Sequence, residues 1–101
     1  LAISLIFLLS STYPCVAKPL TLSASRGVIK ADNPNELKTA LARIWRLIQK
    51  EGEDKYPVAV VEQFIPGREI AIEALLLDGA LSVLTIFDND DDNNLLIGAD
   101  A

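Results

Sequence analysis

Leu37, Leu41, Ile44 and Ile48 recur at spacings of four, three and four, and this apolar stripe predicts an amphipathic helix. Lys38, Arg43, Arg46, Gln49 and Lys50 occupy its other faces. Asn33, Pro34 and Glu36 mark the N-terminal turn, and Gly52 closes the element. Trp45 lies beside the stripe and is read as a packing residue, as opposed to a cofactor platform. On either side of the helix the pattern turns to β. Cys15-Val16-Ala17 reads as a brief buried strand whose pairing Pro19 ends, since proline lacks the ladder N–H. A loop at 20–27 follows, with Gly27 able to take positive φ, and Val28-Ile29-Lys30 forms the return strand. After GEDKYP, the run VAVVEQF is long enough for one strand, and Pro66-Gly67 signals a turn. In REIAIEALLL, Glu69, Ala71 and Glu73 alternate with Ile70, Ile72 and Ala74, as in a half-buried strand. Asp78-Gly79 then predicts a hairpin to LSVLTIF. The order strand, loop, strand, helix, strand, hairpin predicts an α+β fold with an antiparallel sheet and one main helix, without internal repeats.

The opening residues 1–9 are apolar apart from Ser4. They are too few to span a bilayer, which takes about 20 residues. A basic leader and a small-x-small cleavage site are missing, so a signal peptide is the alternative reading. With no methionine anywhere, the segment reads better as a core strand or helix that begins partway through a longer protein. The organisation is thus an apolar segment at 1–12, a domain at 13–88 and an acidic tail at 89–101.

The 101 residues suit one small domain, and a chain that is 50% hydrophobic and 23% charged is expected to fold. A net charge of −5 disfavours broad contact with nucleic acid or an anionic membrane, so any bound phosphate must be met by local groups. The lone Cys15 allows no internal disulfide and is compatible with a reducing compartment, making the cytoplasm the expected location. With no histidine, Ser/His and Cys/His nucleophile arrangements and histidine-ligated zinc are excluded.

Two segments carry the candidate chemistry. YPCVAKPLTLSASRGVIKAD is a strand ending in V-x-K-P and a loop of small residues; VVEQFIPGREIAIEALLLDG fits a hinge of the form E-x-[FY]-[IVL]-x-G-x-E with a continuing strand. In this order, with a helix between them, they resemble the nucleotide-binding part of the ATP-grasp family. That family comprises carboxylate-amine and carboxylate-thiol ligases, biotin carboxylase and carbamoyl phosphate synthetase. The resemblance covers roughly residues 13 to 88.

The residues at these positions suit the roles that the resemblance implies. Lys18 leaves the end of a buried strand, where a fixed backbone aims a flexible ammonium, and the family's lysine here meets the α- and β-phosphates of ATP. Otherwise it is a surface lysine. Ser23, Ser25 and the backbone around Gly27 are expected to cradle phosphate oxygens, with Arg26 over the β- or γ-phosphate. Taken alone, the same residues make an ordinary Ser/Gly turn. By the resemblance, Glu62-Gln63-Phe64-Ile65 is the adenine-facing hinge, where the Gln63 carbonyl receives the amino group and the Ile65 N–H meets the ring nitrogen. Glu69 matches the glutamate that accepts from the ribose hydroxyls, its alternative being a solvated strand residue, while Glu73 is given no role.

The likeness stops at both ends. LAISLIFLLSST does not match the family's approach to this strand. The text NDDDNNLLIGADA stops before the family's metal-binding Glu and Glu/Asn pair and its catalytic arginine, so the Mg²⁺ ligands of the intact family are not expected here. Asp88, Asp90 and Asp92 have the opening spacing of an EF-hand loop, but Asn93 stands at its glycine position and Ala99 at its glutamate position, leaving a solvated acidic tail as the reading. The chain is therefore expected to be a truncated ATP-grasp domain, the lid subdomain plus hinge, derived from an ATP-dependent ligase or carboxylase that works through an acyl phosphate. The missing subdomains are its implied partners. The rival reading is a non-enzymatic α+β protein-interaction module, secreted through its apolar start.

Overall fold

The computed structural model describes residues 1–20, 27–52, 57–65, 67–77, 79–90 and 93–98. Along the chain run α1 (Leu5–Ser10), β1 (Cys15–Pro19), β2 (Ile29–Ala31), α2 (Pro34–Lys50), β3 (Val58–Ile65), β4 (Arg68–Leu77), β5 (Ala80–Asp90) and β6 (Asn93–Gly98). The strands form one sheet in the order β2-β1-β3-β4-β5-β6, each neighbouring pair antiparallel. This is the α+β fold that the sequence predicts, with α2 as its main helix.

The start of α2 follows from local chemistry. The Asn33 side chain accepts the Glu36 N–H at 2.9 Å, Pro34 sits in the first turn, and the Glu36 carboxylate accepts the Asp32 N–H at 2.8 Å. Leu37, Leu41, Ile44 and Ile48 are 0% exposed. Burying each stabilises the fold by about 1.5–3 kcal/mol relative to exposure. They pack on the sheet face formed by Cys15, Ala17, Ala31, Ala59, Val61 and Leu76, with Trp45 at the margin of this core. Register aligns that face across strands: Cys15 lies opposite Ala31 and Gln63, and Ala17 opposite Ile29 and Val61.

Pro19 acts differently from expectation. It belongs to β1, opposite Ala59, and the ladder to β3 passes it, with the Leu20 N–H donating to the Val58 carbonyl at 2.9 Å. Because main-chain groups alternate sides along a strand, Pro19 turns its missing N–H toward β2, whose pairing stops at Ala17–Ile29. The proline interrupts one side of β1 only. Gly27 returns the chain against this end at φ +75°, and a Cβ there would lie 2.9 Å from Pro19 Cδ and 3.0 Å from Leu47 Cδ2.

The N-terminal segment docks on the far hairpin: Ala2 bridges Ala80 in parallel, accepting the Leu81 N–H at 2.9 Å and donating to the Gly79 carbonyl. Leu8 of α1 joins the core, while Leu5, Ile6 and Leu9 are exposed. At the other end the sheet continues beyond residue 88, since β5 reaches Asp90 and pairs with β6. Among the described residues no helix is long and apolar enough to cross a membrane.

Candidate functional site

The sheet face turned away from α2 collects four of the five candidate side chains described on the strands, Lys18, Glu62, Phe64 and Glu69. Val16 lies opposite Glu62, which lies opposite Ala71; Lys18 lies opposite Val60, which lies opposite Glu73; Phe64 lies opposite Glu69. Directly opposed residues share a face, so Lys18, Glu62, Phe64 and Glu69 stand on one surface. Lys18 and Glu62 are diagonal neighbours, and Lys18 Nζ approaches Glu62 Oε1 to 3.5 Å. Their side chains are 40% and 31% exposed, a setting where an ion pair adds little stability and an incoming anion can compete for the ammonium. Phe64 is 59% exposed beside them.

Gln63 is different: its side chain turns to the core face and is 3% exposed. Its Oε1 accepts the Thr12 N–H at 3.0 Å, and its Nε2 has no hydrogen-bond partner among the described residues. The main chain of this hinge also has a definite phase. Val58 bonds toward β1 through Leu20, and Pro57 toward β4 through the Leu76 N–H at 2.6 Å. By alternation, Glu62 and Phe64 face β1, whereas Gln63 and Ile65 face β4, opposite Ile70 and Arg68. The Gln63 carbonyl and Ile65 N–H, which the resemblance directs at adenine, thus lie on the β4 side. The groups left at the open edge are those of Phe64, because β1 begins at Cys15 and the position before it is Pro14, which has no N–H. No main-chain bond of Phe64 to that segment is present among the described residues.

Gly27 stands where the loop rejoins the sheet. Ser23, Ser25 and Arg26 lie outside the described residues. Two concavities, of about 370 and 330 Å³, lie along the seam between β2 and α2, and Gly27 alone of the described candidate residues lines either. We place the site on the open sheet face in spite of them, because that is where the candidate charged groups converge.

Sequence reasoning missed the inward role of Gln63 and the pairing of Asp88. Asp88 is buried on the core face, where its Oδ2 accepts from the Arg68 guanidinium and its Oδ1 has no hydrogen-bond partner among the described residues. A signal was present: Arg68 shares the parity of Ile70 and Ile72, which marks it as turned toward the core side. Among the described residues no group of three or more His, Cys, Asp or Glu is arranged to hold a metal ion.

The sequence matches the model of the ATP-grasp domain over residues 11–97, and the chain belongs to the ATP-grasp family. The match extends past residue 88 into β6. Among curated proteins the chain is similar to the D-alanine–D-alanine ligase of Thermotoga petrophila, 33% identical over 76 residues that make up 75% of this chain and 22% of the ligase. It is likewise similar to the D-alanine–D-alanine ligase of Staphylococcus epidermidis, 36% identical over 64 residues, 63% of this chain and 16% of that protein. The chain thus spans about a fifth, 22%, of the length of the Thermotoga petrophila relative. No solved structure matches it.

Proposed function

We propose that this chain supplies the nucleotide-lid side of an ATP-dependent ligase, and that ATP lies on the sheet face turned away from α2. The observation that carries this reading is the gathering of Lys18, Glu62, Phe64 and Glu69 on that one face, with Lys18 and Glu62 3.5 Å apart. Lys18 exchanges its carboxylate partner for α- and β-phosphate oxygens, a charge-assisted contact. Glu69 accepts from the ribose hydroxyls. The purine edge meets the strand end at Glu62-Gln63-Phe64-Ile65, with the Gln63 carbonyl and the Ile65 N–H as its main-chain partners and the exposed Phe64 ring beside the base. Ser23, Ser25, Arg26 and Gly27 close over the phosphates, the glycine allowing close approach of the backbone.

In the complete ligase a carboxylate oxygen attacks the γ-phosphorus and ADP leaves, giving an acyl phosphate; an amine then attacks the acyl carbon and inorganic phosphate leaves. The names of the relatives make D-alanine the first acceptor to test. Mg²⁺ in this family neutralises phosphate charge. The described carboxylates at Glu62 and Asp88 are engaged by Lys18 and Arg68, so we assign no residue of this chain to the metal. The proposed compartment is the cytoplasm, where ATP is abundant and the buried Cys15 thiol stays reduced.

An NMR titration of the chain with ATP tests the reading. Shifts confined to β1, β3 and β4 on the Lys18 face are expected. An absence of any nucleotide response up to tens of millimolar would favour the interaction module instead.

A further inference from the structure

We infer that Arg68 is a positioning residue for the ribose-binding carboxylate of Glu69, acting through its buried partner Asp88; the assignment rests on the nucleotide reading above. β4 begins at Arg68, directly after Gly67, whose φ of +78° belongs to the turn out of β3. On one side Arg68 and Glu69 pair with Ile65 and Phe64 of β3. On the other side the register with β5 begins at Ile70–Asp88, so the first two residues of β4 run past the end of that ladder. What β5 contributes there is a side chain. The Arg68 guanidinium donates to Asp88 Oδ2, tying the start of β4 to β5 across the core face.

The two partners differ in their surroundings. The Asp88 side chain is 12% exposed and the Arg68 side chain 46%. A carboxylate so far withdrawn from water needs a partner, and Asp88 Oδ1 has none among the described residues, so the guanidinium at Oδ2 carries the compensation. That need holds Arg68 on the core face. Successive side chains of a strand point to opposite faces, and a strand whose Arg68 is held on one side presents Glu69 on the other. Glu69 there joins Lys18, Glu62 and Phe64 on the open face. Two adjacent ribose hydroxyls are met together only by a carboxylate of fixed direction. With the tie broken, the strand start after Gly67 is held in register by β3 alone, and that direction is lost.

The test titrates the full chain by NMR with ATP and with dideoxy-ATP, which lacks both ribose hydroxyls, because the ratio of the two dissociation constants isolates those hydroxyls. The wild type is expected to prefer ATP by roughly three- to tenfold. Asp88→Leu replaces the carboxylate with an apolar side chain of similar shape and leaves the half-exposed Arg68 to water, while Arg68→Gln breaks the pair from the other side. In both variants the ratio is expected to fall below about twofold, with dideoxy-ATP bound as in the wild type. Glu69→Ala is expected to give the same low ratio, and Asp88→Leu added to it to change nothing further. Both nucleotides weakened equally, with the wild-type ratio kept, would make the pair merely structural and overturn the inference. Should Arg68→Gln fail to fold over its unpaired carboxylate, Asp88→Leu decides. A wild type blind to both nucleotides overturns the nucleotide reading and the role of Arg68 with it, whereas a discriminating wild type beside variants that discriminate equally overturns the role of Arg68 alone.

Discussion

Lys18 reaches the open face with a carboxylate already in contact, so a triphosphate must displace Glu62 before it gains the ammonium. Lys18→Ala should weaken ATP about ten- to a hundredfold, the loss of a charged hydrogen bond of roughly 1.5–3 kcal/mol, and leave adenosine nearly unchanged. Equal titration curves for wild type and variant would make Lys18 an ordinary surface residue. Glu62→Gln should act in the opposite sense on inorganic triphosphate, tightening it about two- to fivefold, because an exposed pair of this kind is worth about 0.2–1 kcal/mol. Gly27 bears on stability instead. A methyl group there meets the rigid Pro19 ring at 2.9 Å while the backbone holds φ +75°, so Gly27→Ala should cost about 2–4 kcal/mol in urea unfolding. A loss below 0.5 kcal/mol would show that the loop end re-forms without strain.

Within α2, the cap and the stripe answer different questions. The stripe sets which face is buried, and Asn33 sets where the helix begins. Asn33→Ala should cost about 1 kcal/mol, whereas Asn33→Asp should be nearly neutral, since aspartate also accepts at the cap and suits the positive end of the helix dipole. Chemical denaturation of the two variants separates capping from general surface effects: equal losses would argue that the Asn33 bond to the Glu36 N–H contributes nothing. In the strands the corresponding variable is the side on which a residue bonds. Pro19 is tolerated in β1 because its bare nitrogen faces past the end of β2, and the pairing of β1 with β3 begins only at Cys15, after Pro14. Two prolines at opposite ends of β1 thus delimit its pairing, one toward β2 and the other toward β3.

For the molecule as a whole, the core rests on a sheet covered by α2 on one face, and its pH response includes a thiol inside that core. Burial, and secondly the Asp32 carboxylate, push Cys15 from an ordinary 9.0 up to about 11. Burial, then the charge of Cys15, also raises Tyr13, with a bond from Ser11 opposing. The unfolded chain releases the thiol proton near pH 9 and the folded chain only near 11, so the unfolded state binds fewer protons in that window and stability falls as pH rises through it. The contribution, on the order of 2 kcal/mol, is complete below pH 9 and lost by about pH 11. Cys15→Ala should flatten this alkaline limb of the unfolding free energy. An unchanged slope between pH 9 and 11 would show that the thiolate is accommodated in the fold.

What the sequence determined by itself is whatever rests on neighbours a few residues apart. The spacing of Leu37, Leu41, Ile44 and Ile48 defines α2, Asn33 and Glu36 cap it, and the alternation around Ile70 and Ile72 separates the two faces of β4, because helix and strand periods are local properties of the backbone. The seven-residue step from Glu62 to Glu69 likewise made half of the candidate face legible, the two being held by one hairpin. Tertiary structure alone decided the rest. That Lys18 meets Glu62, that Gln63 turns inward to Thr12 and that Arg68 closes on Asp88 all depend on which strand lies beside which and in what register. A slip of one residue would exchange every one of these faces, and what prevents it is the joint burial of Ala17, Val61 and Leu76 beneath α2, a constraint spread over the whole chain.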